Sequence, residues 1–348
     1  MTQKIILKKC FLFFLIFTSF FYLIQNVLRY KWENDEFISS RLEYYAEEKD
    51  NTIDILFFGS SPIYAGITPI IMWDEVGVTG INFGISLQNA MCNYYQLKYA
   101  LQKQTPSVVV LDFSALFEDR KADEDSYEAT YRKVAETIPD KKLKYAMVKD
   151  ITHHNENQDI LSYYFPLLRY HGRWNEISKT DFVPDKVYKN YFKGGLLSTA
   201  RTSIAPVEET YYNPDKASIS QYSLQYYKKI IDLCNEKNIR ILAISLPIFD
   251  STFNYARFDV LSEFCSEYGI DYINYNSEEY LDNLKLDLEM DYYDSGHMNI
   301  NGSSKVTKDL GRRLKELYDL ADHSQDTAYS DWGKQWNLFV QSYGGVLE

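Results

Sequence analysis

The chain has 348 residues, enough for one large domain or two modest ones, and its apolar fraction of 45% and charged fraction of 25% are ordinary for a globular protein. Acidic residues outnumber basic ones by 49 to 37, which gives a formal net charge of −12. No lysine- or arginine-rich stripe interrupts the part of the sequence that should fold. Phosphate-backbone binding therefore lacks its electrostatic source, so we expect no nucleic-acid partner.

The N-terminus predicts a membrane anchor. Three lysines precede an apolar run from Cys10 to Leu28, close to the roughly 20 residues that a helix needs to cross a bilayer. The positive charge favours an inside N-terminus, and no small-residue cleavage site follows the run. We therefore expect residues 1–31 to be an uncleaved, single-pass anchor in the cell membrane, with the remainder extracytoplasmic. The alternatives are a cleaved signal peptide and a buried core helix.

Beyond a charged connector at 32–52, apolar runs of strand length alternate with stretches of helix length. The expected strands are Ile53–Gly59, Gly80–Gly84, Ser107–Phe113, Ile239–Pro247 and Ile270–Tyr275. The expected helices begin at Gln88, Tyr222, Phe258 and Ser303. This alternation is typical of a three-layer α/β/α domain with a central parallel sheet, which we place at 53–320.

Two segments depart from the alternation. Residues 118–216 are polar and tyrosine-rich without a strong strand, so we expect a mostly helical insertion. Its aromatic residues either pack internally or offer faces to sugar rings. Residues 321–348 form a C-terminal aromatic tail, in which Trp332, Trp336 and Phe339 have helical spacing. This tail is expected to pack on the domain or on a partner.

Two adjacent serines, Ser60 and Ser61, follow the first predicted strand at a turn into a helix. At the carboxyl edge of a parallel sheet, such a turn projects a side chain into the ligand crevice, where helix amides favour an oxyanion. A serine nucleophile requires a base and a group that orients it. Of the five histidines, His297 lies directly after the last predicted strand, and Asp294 precedes it by three residues. The sequence therefore predicts a triad of Ser61, His297 and Asp294.

The same residues also have structural interpretations. Serine is a favoured N-cap, so the two serines could simply begin the helix, and Asp294 and His297 could form only a turn. We expect His153 and His154 to be solvated loop residues and not metal ligands, because no further ligand cluster lies near them. The cysteines also lack metal-ligand spacing, so those after Cys10 are expected to be buried thiols. No metal and no cofactor is expected.

The two ends of this pattern resemble a known family, the SGNH (GDSL-like) hydrolases. In that family the nucleophile follows a Gly-Asp pair after the first strand, and a D-x-x-H near the C-terminus completes the triad. Gly59 and Ser61 match the first block, with Ser60 where the family usually has aspartate, and Asp294 and His297 match the last. The resemblance implies that Ser61 is the nucleophile and His297 its base.

The middle blocks of the family match less completely. The second block, N-x-G-x-x-G, is similar to the stretch in which Asn82 and Gly84 are kept and Leu87 replaces the last glycine. The third block normally supplies an asparagine, and here Ser114 is the polar residue after the third strand. The resemblance implies an oxyanion site built from the amides of Ser61 and Leu87, beside Gly84. The third donor is either replaced by Ser114 or missing, in which case Ser114 is an ordinary loop hydroxyl. Losing one such donor costs about 2.7 to 4 kcal/mol of transition-state stabilisation.

With these departures and the membrane anchor, the chain resembles the DltD-like, polysaccharide O-acyltransferase-associated branch of the superfamily. The resemblance implies a flavodoxin-like sheet and a serine O-acyltransferase or esterase that forms an acyl-enzyme outside the membrane. The implied partners are a cell-surface glycopolymer, either teichoic acid or exopolysaccharide, and a membrane-bound O-acyltransferase. The alternatives are a catalytically weak scaffold that positions such a polymer or partner, and a secreted carbohydrate deacetylase.

Overall fold

The computed structural model describes residues 2–30, 45–118, 125–155, 157–182, 192–345 and 347. Most of the predicted connector at 32–52 lies outside these ranges. Within them the chain folds around one parallel sheet flanked by helices, as the alternation of apolar runs predicts.

Five parallel strands form the sheet in the order β2-β1-β3-β4-β5. Their bounds are β1 Ile55–Phe58, β2 Gly80–Asn82, β3 Val108–Asp112, β4 Arg240–Ser245 and β5 Asp271–Asn274. Each coincides with a predicted strand to within two residues at either end. Strand β1 pairs Leu56 with Ile81 of β2 on one side and with Val109 of β3 on the other. The order of strands reverses between β1 and β3, and ligands of such sheets bind in the crevice at that point.

Successive strand residues face opposite helical layers, because side chains alternate across a sheet. Leu56 and Phe58 enter one apolar core, whereas Ile55 and Phe57 enter the other. All four are fully buried. Strands buried on both faces explain why the sequence shows continuous apolar runs instead of an alternating pattern.

Helices cover both faces of the sheet, and several begin at side-chain caps. Asn89, Ser220 and Asn299 each accept a hydrogen bond from an amide in the first turn of the following helix. The helices are α1 Thr2–Leu28, α2 Ser61–Gly66, α3 Pro69–Val76, α4 Ala90–Ala100, α5 Asp125–Thr137, α6 Lys141–His154, α7 Pro166–Tyr170, α8 Lys179–Phe182, α9 Gln221–Glu236, α10 Ala256–Tyr268, α11 Glu278–Leu284, α12 Ile300–Tyr318 and α13 Ser330–Tyr343.

A small antiparallel hairpin, absent from the expected elements, lies between α11 and α12. Its strands are β6 Tyr292–Asp294 and β7 His297–Met298. Asn299 fixes the exit of the hairpin, because its amide Nδ2 donates to Met290 O at 2.7 Å while its Oδ1 caps α12. The hairpin therefore has a defined position relative to the last helix.

The predicted insertion divides into two parts. Its described first part is helical, from α5 to α8, and contains buried aromatic residues such as Tyr131 and Tyr163. Its second part, at 195–213, contains neither helix nor strand. Internal packing is thus confirmed for some of its aromatic residues, whereas Trp174 and Phe182 are exposed.

The N- and C-terminal segments are both helical. Helix α1 is long and apolar enough to cross a membrane, and most of its side chains are exposed. Helix α13 packs on the domain through Trp332, whose ring lies 5.4 Å from that of Trp73, and through the fully buried Phe339. The first of the two alternatives for the aromatic tail, packing on the domain, is what the structure shows.

Phe339→Ala should destabilise the protein, because it removes a fully buried ring from the contact between α13 and the domain. The expected loss is about 3 to 5 kcal/mol in the free energy of unfolding. Val340→Ala is the matched control, since Val340 is 42% exposed on the same helix, and its effect should be below about 0.5 kcal/mol. Denaturant unfolding of the full chain in detergent measures both, and equal effects would contradict the packing described.

Candidate active site

The turn after β1 has the tight geometry that the adjacent serines suggest. Gly59 admits no side chain, since a Cβ there would lie 2.5 Å from Ile63 Cγ1 and 2.6 Å from Asp112 Cβ. Ser60 is the N-cap residue of α2, and Ser61 is the first residue of that helix. The chain therefore reverses sharply and places Ser61, which is partly exposed, at the carboxyl edge of the sheet.

The Ser60 hydroxyl does not cap the helix. It lies 3.1 Å from Asp112 Oδ2 and 3.2 Å from Ser114 Oγ, and Ser114 Oγ itself donates to Asp112 Oδ2 at 2.8 Å. Asp112 is the last residue of β3 and is 8% exposed. The carboxylate of a neighbouring strand thus fixes the turn before Ser61.

Asp294 and His297 form the second half of the site. His297 Nδ1 lies 2.8 Å from Asp294 Oδ1 and 3.0 Å from Oδ2. The Gly296 N–H donates to Asp294 Oδ1 at 2.9 Å, which holds the carboxylate in the turn of the hairpin. Because Nδ1 faces the carboxylate, Nε2 is the imidazole nitrogen that remains for proton transfer.

The two halves of the site meet through the contact of β7 with α2. The His297 imidazole stacks on the ring of Tyr64, one helical turn after Ser61, with centroids 6.2 Å apart. Tyr293 stacks on the same imidazole at 5.4 Å. No hydrogen bond joins Ser61 Oγ to His297 in the part of the chain that the structure describes, and bonds of this type often tighten only when substrate binds.

The second part of the insertion ties these two halves together. Leu196 N donates to Tyr64 O at 2.5 Å, and Ile300 N donates to Ser198 O at 2.8 Å. Thr202 donates its N–H to Tyr292 O and its hydroxyl to Tyr293 O. The segment 195–204 thus acts as a strap that bonds both the helix beginning at Ser61 and the hairpin carrying His297.

Asn82 fastens the turn after β2 to the same helix. Its buried Nδ2 donates to both Ile63 O and Ile67 O at 2.8 Å, and its Oδ1 accepts from Gly84 N at 2.8 Å. A Cβ at Gly84 would lie 2.9 Å from Tyr64 N, so this position requires the close approach that glycine allows.

Leu87 has a backbone conformation that glycine usually adopts. Its φ is +54°, in the left-handed region that non-glycine residues seldom adopt. Neither its N–H nor that of Ser61 donates a hydrogen bond within the described ranges. Ser114, in contrast, directs its hydroxyl and its amide at Asp112. Its role as a substitute oxyanion donor stays a prediction.

A small pocket opens at the reversal of strand order, where Pro62 and Asp112 both contribute to its lining. Its volume is about 40 Å³, and it is lined mainly by apolar side chains. They extend from Pro62, which follows Ser61, to Ser114, Leu246 and Phe253. By volume it holds about three water-sized groups.

The remaining histidines and cysteines lie apart from this site. His153 and His154 end α6, so the expected loop is instead the last turn of a helix; polar residues between Lys141 and Asp150 masked its apolar face. No group of three or more potential metal ligands occurs among the residues described. Cys92, Cys234 and Cys265 are buried free thiols, as predicted, and burial raises the pKa of Cys234 to about 12.

Sequence reasoning missed two contributors to the site. Asp112 is an acidic residue at the end of an otherwise apolar strand, and this break in the apolar run could have indicated a residue of the site. Tyr64 carried no such signal, since a tyrosine in a chain with 31 of them is not distinctive. Both act through contacts with residues far away in sequence.

Comparison with known proteins leaves the family unassigned. No protein-family model matches the chain, and no curated protein matches it.

Asp112→Ala should destabilise the turn, because it removes the carboxylate that accepts from the buried Ser60 hydroxyl and from the Ser114 hydroxyl and amide. Hydrogen bonds to charged groups contribute about 1.5 to 3 kcal/mol each, so we expect a loss of at least that size in the free energy of unfolding. Asp112→Asn retains an acceptor and should cost less. Denaturant unfolding of both variants measures the difference, and an Asp112→Ala variant as stable as the parent would rule out this role.

Proposed function

We propose that this chain is a membrane-anchored, extracytoplasmic serine O-acyltransferase or esterase of the SGNH type that acts on a cell-surface glycopolymer. One observation carries the proposal: an Asp294–His297 pair, near the end of the chain, packs against the helix that begins at Ser61, near its start. An aspartate, a histidine and a serine in this relation are the components that activate a serine nucleophile.

The reaction follows from the roles of these groups. Ser61 Oγ attacks the acyl carbonyl of the donor while its proton passes to His297 Nε2. The resulting oxyanion collapses, the bond to the leaving alcohol breaks, and His297 returns the proton to that alcohol. A hydroxyl of the glycopolymer then attacks the acyl-enzyme by the reverse sequence and becomes acylated; when water attacks instead, the outcome is ester hydrolysis. Asp294 orients the imidazole and stabilises its charged form.

The size of the pocket favours a small acyl group, and two backbone amides are available as oxyanion donors. The pocket of about 40 Å³, which is lined in part by Pro62, the residue after Ser61, suits a chain of two or three heavy atoms. The N–H groups of Ser61 and Leu87 supply the oxyanion donors in the proposal, since neither has an acceptor within the described ranges. At the pocket, the buried Arg257 Nε also has no partner among the described residues, so it offers a donor to a polar group of the substrate.

A second candidate function is a scaffold that positions the polymer or a membrane-bound O-acyltransferase. It is favoured by the direction of the Ser114 hydroxyl, which points to Asp112 and leaves the third block of the family pattern without an evident oxyanion donor. Catalysis by the remaining donors would then be slow.

Ser61→Ala should abolish labelling by a fluorophosphonate probe and reduce acyl transfer by on the order of 10⁶-fold, because no neighbouring hydroxyl can replace the nucleophile. Ser60→Ala is the matched control; its hydroxyl bonds Asp112, so labelling should persist. Mass spectrometry of the labelled chain locates the probe.

Labelling retained in Ser61→Ala would place the nucleophile elsewhere. Full restoration of surface acylation in a deletion strain by the Ser61, His297 and Asp294 variants alike would favour the scaffold.

Phe253→Ala should widen acyl selectivity, because it removes a ring from the wall of the pocket. Each added methylene that the pocket accepts contributes about 0.8 kcal/mol, so the ratio of butyryl to acetyl ester turnover should rise roughly tenfold. Phe182→Ala, which truncates an exposed ring outside the pocket, is the control. An unchanged ratio in Phe253→Ala, measured as kcat/KM on p-nitrophenyl esters, would show that the acyl group binds elsewhere.

A further inference from the structure

A second, larger cavity, to which neither Ser61 nor His297 contributes, lies where the last turns of α1 contact the insertion. Its volume is about 370 Å³, and its walls come from both elements. Phe21 of α1 contacts Phe165, with ring centroids 6.2 Å apart, and Arg173 Nη1 donates to Leu28 O at 2.8 Å. The cavity is therefore built by tertiary contacts and is more than a groove on a single helix.

The cavity lies at the level where the apolar helix enters the polar domain. The described side chains of α1 are exposed as far as Leu23, apart from the partly buried Phe21, whereas Gln25 and Leu28 are buried. The neighbouring insertion exposes Phe165, Trp174 and Phe182. Exposed aromatic residues beside the end of a membrane-spanning helix are typical of the membrane–water interface.

The charged groups of the cavity favour an anion. No carboxylate pairs with Lys144 Nζ within the described residues; the ammonium lies 5.2 Å from the centre of the Tyr164 ring. Arg29 Nη2 donates to the main-chain oxygen of Glu136 at 3.1 Å. Burial, assisted by Arg29 and Arg132, lowers the pKa of Lys144 despite the opposing effect of Glu136, as expected where a cation lacks a counter-charge.

The carboxylate at the cavity, that of Glu136, already accepts hydrogen bonds from protein groups. Glu136 Oε1 accepts from Arg132 Nη1 at 3.2 Å and from the Tyr170 hydroxyl at 2.9 Å. Two cations, Arg29 and Lys144, therefore line a cavity whose carboxylate is engaged by other partners.

A buried donor without an acceptor also lines the cavity. Gln25 is 8% exposed, and its Oε1 accepts from Leu167 N at 2.6 Å, which fixes the orientation of the amide. Its Nε2 then has no hydrogen-bond partner among the described residues. A buried amide of this kind requires an acceptor, and an anionic oxygen would supply one.

We propose that this cavity binds the phosphate of an anionic phospholipid headgroup, held by Lys144, Arg29 and the Gln25 amide. The proposal depends on α1 lying in a membrane and is independent of the chemistry at Ser61. Phosphate oxygens would accept from the guanidinium and ammonium groups, while the acyl chains extend along the exposed face of α1. Bound lipid would fix the domain at one height and orientation relative to the bilayer.

The test measures binding of three probes to the full chain in detergent: short-chain phosphatidylglycerol, short-chain phosphatidylcholine and inorganic phosphate. Isothermal titration should show saturable binding of phosphatidylglycerol and at least tenfold weaker binding of the other two. Lys144→Gln should weaken phosphatidylglycerol binding at least tenfold. Lys142→Gln is the matched control, since Lys142 is an exposed lysine on the same helix, and it should leave binding unchanged.

Gln25→Glu provides a second variant, which keeps the acceptor for Leu167 N and replaces the unpartnered donor with a negatively charged oxygen beside Arg29 and Lys144. It should weaken phosphatidylglycerol binding at least tenfold while a cooperative thermal unfolding transition shows that it folds, and it decides the test if Lys144→Gln does not fold. An equal loss of phosphatidylglycerol binding in Lys144→Gln and Lys142→Gln would show that binding depends only on the overall positive charge of the helix, and would overturn the proposal. Inorganic phosphate or phosphatidylcholine binding as tightly as phosphatidylglycerol, or full binding by both cavity variants, would overturn the proposal.

Discussion

The contact between the strand His297–Met298 and the helix Ser61–Gly66 is the constraint on which the candidate site depends. It joins residues that are more than two hundred positions apart in sequence. Ser61 without a base, or the Asp294–His297 pair without a nucleophile, could not carry out the proposed reaction. Parallel strands make this possible, because their carboxyl ends all open at one edge of the sheet. The reversal of strand order between β1 and β3 places Ser61 at the crevice of that edge.

Much of the surrounding structure serves to hold that contact. Asp112 fixes the turn before Ser61 from the neighbouring strand, and Asn82 fastens the end of the helix from the other side. The strap at 195–204 bonds the helix and the hairpin at once. A residue early in the chain and one near its end are thus fixed by segments from three further regions. Pre-organisation of this kind is what transition-state stabilisation requires.

The parts of this arrangement that the sequence predicts are those encoded locally. Continuous apolar runs indicate the five strands to within two residues, and the spacing of Asp294 and His297 places both in one turn. Contacts such as Ser60 with Asp112, across 52 residues, depend on strand order, which no local pattern records. The hairpin was missed because its strands have only three and two residues, too short for periodicity to show. The loop predicted at His153 and His154 is wrong because polar residues interrupt the apolar spacing of the helix that they end.

The most direct measurement of the central claim is an experimental structure of the chain after reaction with a fluorophosphonate. If Ser61, His297 and Asp294 act together, phosphorus will be covalently bonded to Ser61 Oγ, with His297 Nε2 within about 3 Å of that oxygen and Nδ1 still hydrogen-bonded to Asp294. A structure in which the phosphorus is bonded to another residue, or in which the imidazole of His297 faces away from Ser61, would contradict it.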